Sequence, residues 1–217
     1  MELMLLYEVK QVNNNCPDCG NISVLEWKRR YSSLPVDKQM ALDALDKALS
    51  DRSAEYEYFQ LRYIKKSNKK PQKGDLFVFS PRDGVFFGGC VANTVLWENE
   101  SSDKIVVMLF RDKTDDYRNF KFEPHAENLL TSPAIVSKLY WTKGMFYNIG
   151  HTENLDLNNY GFYDYMELKH EGRYLDEFGN VLADKPQYTG LWGVYTDTGI
   201  AHDVNKELII DDSLSIL

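Results

Sequence analysis

Cys16-Pro17-Asp18-Cys19-Gly20 is the one stretch of this 217-residue chain spaced for metal chemistry. Cys-x-x-Cys at a tight turn offers two thiolates to a tetrahedral zinc ion, and a structural site needs two further ligands. Of the three cysteines only Cys90 remains, in an apolar run, while His125, His151, His170 and His202 lie far apart with no ligand spacing. Half a zinc knuckle, an ordinary turn and a redox pair all fit Cys16 and Cys19, and no metal or other cofactor is expected. There is no P-loop, dinucleotide fingerprint, Gly-x-Ser-x-Gly elbow or His-Glu-x-x-His. Cys90 reads as an inert core thiol. The pattern points to a binding protein rather than an enzyme.

Charge indicates where a partner would be met. Residues 1–149 carry 21 Lys+Arg against 20 Asp+Glu, whereas residues 150–217 carry 4 against 13, a net of −9 in a chain of net −8. Phosphates would be repelled there, which disfavours nucleic acid as the partner of that third and suits a basic protein. The competing explanation is solubility. The candidate contact residues are Asp156, Tyr160, Tyr163, Asp164, Tyr165, Glu167, Glu171, Asp176 and Glu177. Tyrosines would anchor the contact by desolvation, and the carboxylates would speed encounter.

The elements that must position these residues start from a β core. Leu76-Phe77-Val78-Phe79 is a short apolar strand, and Asp83-Gly84 after Pro81 suits a turn with positive φ. Val85-Phe86-Phe87-Gly88-Gly89-Cys90-Val91 follows as a strand whose glycine pair implies a bulge. Ile105-Val106-Val107-Met108-Leu109-Phe110 is unbroken in hydrophobicity and predicts a strand buried on both faces. Further on, Ala134 to Trp141 fits a short strand or a helix, Met145 to Gly150 a strand, and Leu191 to Tyr195 the last long strand.

Upstream, Leu3–Val12 and Ile22–Tyr31 have strand character, which predicts a β-hairpin with Cys16 and Cys19 at its tip. Pro35 signals a helix start, and Val36, Met40, Ala44, Leu45, Ala48 and Leu49 recur at helical steps. A second helix is expected after Ser53, with Tyr56, Phe59 and Tyr63 along one core-facing side. Residues 65–73 hold five lysines and a proline, and without interleaved aromatics they read as a solvated linker. The expectation is an α+β fold: a strongly bent antiparallel β-sheet domain over residues 74–217, preceded by a hairpin and helix region over residues 1–66. No apolar run reaches the roughly 18–20 residues that span a bilayer. The amino terminus lacks the basic start and cleavage site of a signal peptide, so a cytoplasmic protein is expected.

Lys70-Pro71-Gln72-Lys73-Gly74-Asp75, the Asp83-Gly84 turn, the aromatic–glycine strand and the valine-rich strand together resemble the immunity protein 26 family. Met145-Phe146-Tyr147-Asn148-Ile149-Gly150-His151 resembles a later element of that family, and the likeness spans about residues 70–165. The resemblance implies a small α+β protein of a bacterial polymorphic toxin system that neutralises a cognate toxin protein. Two alternatives stay open. One is an SH3-like barrel similar to growth-inhibiting ribonuclease toxins, which also open with Gly-Asp but need a basic RNA groove. The other is a zinc-stabilised nucleic-acid adaptor, resting on Cys16, Cys19 and the lysines. With two ligands missing, the purified chain should carry no stoichiometric zinc. Metal analysis finding about one zinc per chain, lost on Cys16→Ser, would overturn this.

Overall fold

A computed structural model describes residues 22–50, 60–96, 103–155, 157–164, 173–196 and 198–214. The strands β1 (Asp75–Arg82), β2 (Val85–Asn93), β3 (Lys104–Thr114), β4 (Ala134–Ser137) and β5 (Tyr147–His151) form an open antiparallel sheet in the order β4-β3-β2-β1-β5. A smaller sheet joins β6 (Tyr160–Asp164), β7 (Arg173–Leu175) and β8 (Tyr188–Leu191), with β6 central, antiparallel to β7 and parallel to β8. The helices among the described residues are α1 (Ile22–Ser33), α2 (Val36–Ser50), the single turn α3 (Leu139–Thr142) and α4 (Gly199–Ile210). The class is α+β, as expected.

β3 organises the layers. Ile105, Val107 and Leu109 enter one core, and Val106, Met108 and Phe110 enter the other, as a continuous apolar run requires. The first core is closed by Trp141 and Phe146, whose rings lie 5.1 Å apart and edge-on, and by Ile200, Ala201 and Val204 of α4. On the second, Leu157 and Phe162 cover the sheet, with Phe122, Trp192 and Val194 half-buried beside them. Helices thus lie on one face and the small sheet on the other.

Register slips between β1 and β5, between β1 and β2, and at two places between β2 and β3 bend the sheet. One β2–β3 slip falls at Gly88-Gly89, where the sequence predicts a bulge. The pair also admits a ring on each face. A Cβ at Gly88 would lie 2.8 Å from the Phe122 ring, and one at Gly89 2.5 Å from that of Phe77.

Four expectations are corrected. Ile22–Tyr31 is helical, so the hairpin lacks its second arm; its first arm, with Cys16 and Cys19, lies outside the described residues. The β propensity of Ile22, Val24 and Tyr31 yields to packing, because α1 sets Trp27 beneath the Lys206 ammonium and Arg30 on Glu207. α2 keeps its expected start but turns another face inward. Val36 and Met40 are 71% and 67% exposed, while Leu42 is buried and Lys38 and Asp46 reach α4. The second helix is absent at its described end, and Tyr56 and Phe59 lie outside the described residues. Residues 61–68 are extended instead, held by Arg62 N–H to Ser80 O at 2.7 Å, Ile64 N–H to Gly144 O at 2.7 Å and Ser67 N–H to Trp141 O at 3.0 Å. Leu191–Tyr195 is not a strand: β8 ends at Leu191, and Val194 makes a single bridge to Ile135. The Ala134–Trp141 ambiguity resolves as β4 followed by α3, and the C-terminal α4 had no counterpart in the sequence reading.

Gly84 has φ +79 with open space around its missing Cβ, so strain there comes from backbone alone. Gly84→Val should cost about 1 kcal/mol or more. Gly89→Ala should cost about 1–3 kcal/mol by overpacking Phe77. Unchanged urea midpoints and slopes for both variants would overturn these assignments.

Candidate functional site

The sequence-predicted contact residues separate into supports and surface. Tyr163 and Asp164 are each 4% exposed; Asp164 Oδ2 accepts from Arg173 Nε at 3.1 Å, and Tyr163 packs on Tyr174 with centroids 5.7 Å apart. They hold β6 to β7 and are corrected from contact to support. Asp164→Lys would set two cations together in a buried site and so report on folding, not recognition. Tyr160 is partly buried; burial and then Glu177 push its phenol far up, and Glu177 also accepts from Asn93 Nδ2 at 3.3 Å. Asp156, Tyr165, Glu167 and Glu171 lie outside the described residues.

Asp176 builds a turn. Its Oδ1 accepts from the Phe178 and Asn180 backbone N–H groups at 2.9 and 2.8 Å, and its Oδ2 from Asn180 Nδ2 at 2.9 Å. Gly179, at φ +92, supplies the left-handed step, and Val181 bridges back to Leu175. The outcome is a braced loop presenting Phe178 at 40% and Val181 at 62% exposure. Asp176-Glu177-Phe178-Gly179-Asn180 carries turn chemistry legible in the sequence, whereas the exposure of Val181 follows from its bridge to Leu175.

The carboxylates of α4 and of the segment after it are matched by cations within the fold. Glu207 holds Arg30 through two bonds of 2.6 Å, Asp211 pairs with Arg111, and Asp212 lies 2.9 Å from Lys38. A groove of about 300 Å³ beside α4 includes Arg30, Arg111 and Glu207, whose charges are already paired. Three carboxylates of residues 150–217, Glu207, Asp211 and Asp212, thus attach α4 and the segment after it to the body rather than forming an acidic face.

The remaining candidates are structural in geometry. Burial pushes the Cys90 thiol up to about 12, consistent with an inert core position. His151 Nδ1 lies 3.0 Å from Asp75 Oδ1, a positioned-base geometry. The same carboxylate closes the 72–75 turn through the Gln72 N–H and accepts from Asn148, which in turn holds Trp141 Nε1 at 2.6 Å. Among the described residues no three His, Cys, Asp or Glu side chains group to hold a metal ion.

One ionisable cluster joins α2 to α4. His202 Nε2 lies 2.9 Å from Asp46 Oδ1 and its Nδ1 3.7 Å from Asp203 Oδ1; Lys206 Nζ is 3.0 Å from Asp203, and the Tyr195 hydroxyl donates to it at 2.9 Å. Burial opposes the imidazolium, but Asp203 and Asp46 outweigh it and raise the His202 pKa. Burial likewise opposes the Asp203 carboxylate, and Lys206 and His202 reverse this, holding it well below the usual range. The raised His202 contributes stability fully below about pH 6.5 and loses it as pH climbs through the folded value. The depressed Asp203 contributes above about pH 3.9 and loses it on acidification. The urea midpoint should peak between about pH 4 and 6.5, and His202→Gln should shrink the alkaline fall; an unchanged alkaline limb would overturn the assignment. No protein-family model, curated protein or solved structure matches this chain, so a functional reading rests on its own residues.

Proposed function

We propose that the chain is an immunity protein that binds and neutralises a cognate bacterial polymorphic toxin, acting as a cytoplasmic binder rather than a catalyst. The observation that carries this reading is the braced Asp176–Val181 turn. An exposed Phe178 and Val181 beside Asp176, Glu177 and Asp184 suit a partner whose face is apolar at its centre and basic around it. Asp176 fixes the loop before encounter, so little ordering entropy is lost on binding. The class of partner is the one implied by the resemblance of the Lys70–Asp75, Asp83-Gly84 and Met145–His151 motifs to the immunity protein 26 family.

Binding to the toxin domain encoded beside this gene is the direct test. Phe178→Ala with Val181→Ala should weaken it by about 2 kcal/mol, roughly thirtyfold in Kd, with the melting temperature retained. Association should also slow as salt rises. Full affinity in the double variant, or salt-insensitive association, would move the contact elsewhere and sink this surface.

A further inference from the structure

Residues 60–74 contain Arg62, five lysines and no carboxylate. On sequence alone residues 65–73 of this run read as a solvated linker for want of interleaved aromatics. The fold supplies both features a binding track needs. Leu61 and Pro71 are buried, and three backbone hydrogen bonds tie Arg62, Ile64 and Ser67 to the body, so the lysines are displayed from a segment held at several points. A row of aromatic rings from elsewhere in the chain meets the segment at Lys65. The Lys65 ammonium lies 5.5 Å from the Tyr147 ring centre, Tyr147 meets Tyr117 edge-on at 5.8 Å, and Tyr117 packs on Phe86 at 4.7 Å with the Arg118 guanidinium over its ring at 5.7 Å. Phe86, Tyr117 and Tyr147 all keep part of their surface accessible, and Tyr63 on the track itself is 65% exposed.

We infer that this pinned lysine track, with the Phe86–Tyr117–Tyr147 ring row beside it, binds single-stranded nucleic acid. Cations spaced along an extended chain follow a phosphate backbone, and partly open rings accept bases by stacking without reading their sequence. Duplex fits poorly, because its bases are already stacked and closed to those rings. An acidic protein segment would use the cations but have little use for the rings. None of these residues belongs to the Asp176–Val181 turn.

Fluorescence anisotropy with a labelled mixed-sequence RNA of about 12 nucleotides, and DNA of the same sequence, tests the inference. Both strands should bind saturably at about 50 mM salt, with log Kd changing against log salt by about 3 for four phosphate contacts; a gap between the two strands would assign the 2′-hydroxyl a role. Lys65→Glu with Lys66→Glu and Lys69→Glu should weaken binding and flatten that slope. Tyr147→Ala should weaken binding about tenfold and leave the slope unchanged, whereas Tyr147→Trp should restore it. Phe178→Ala should have no effect, which separates this surface from the toxin contact. A melting curve for each variant confirms folding. Absence of binding by the wild-type chain, equal affinity for duplex, or an aspartate-rich peptide that competes equally while Tyr147→Ala changes nothing would overturn the proposal.

Discussion

Burial of β3 on both faces constrains most of this fold. Six consecutive apolar residues, Ile105 to Phe110, cannot be covered by one layer, because alternate side chains leave the strand in opposite directions. Each contributes roughly 1.5–3 kcal/mol when fully removed from water, so exposing either side would cost about as much as a small domain's net stability. The helix layer and the small sheet answer the same demand from opposite sides. α4 brings Ile200, Ala201 and Val204 to one face, and β6 brings Phe162 to the other.

Covering the first face with α4 creates the second constraint, which is electrostatic. The outer side of α4 and the segment after it are rich in carboxylates, and Arg30, Lys38, Arg111 and Lys206 meet them. These pairs, half-exposed for the most part, individually contribute little. Their combined effect is to set which sides of α1 and α2 face inward: Lys38 and Asp46 turn toward α4, and Val36 and Met40 turn outward. Polar matching thus joins the burial of Leu42 in orienting α2.

The same arrangement leaves the surface divided. With the α4 carboxylates matched, the acidic turn at Asp176–Val181 and the lysine track along residues 60–74 present different chemistry. Both are rigid for local reasons. A side-chain carboxylate ties down the turn, and backbone hydrogen bonds with buried Leu61 and Pro71 tie down the track. Preorganisation of this kind lowers the entropy lost on association, whichever partner docks.

The sequence by itself determined the elements whose signals are local. An unbroken apolar run specified β3, Asp83-Gly84 specified the β1–β2 turn, Gly88-Gly89 the bulge, and Pro35 the start of α2. Each depends on neighbours only a few residues away, which is the range over which propensity and turn chemistry act. Tertiary structure decided whatever depended on distant partners. Ile22–Ser33 is a helix because Trp27 and Arg30 find Lys206 and Glu207, the latter 177 positions away. Charge summed along the chain suggested an acidic face, yet folding pairs Glu207, Asp211 and Asp212 with cations from the near-neutral part. Residues 65–73 contain no aromatic residue in sequence, and Lys65 acquired one in space when Tyr147, itself packed on Tyr117, folded over it. Net charge and residue type are additive along a chain, whereas pairing and burial belong to contacts, and contacts between remote segments exist only after the sheet has brought them together.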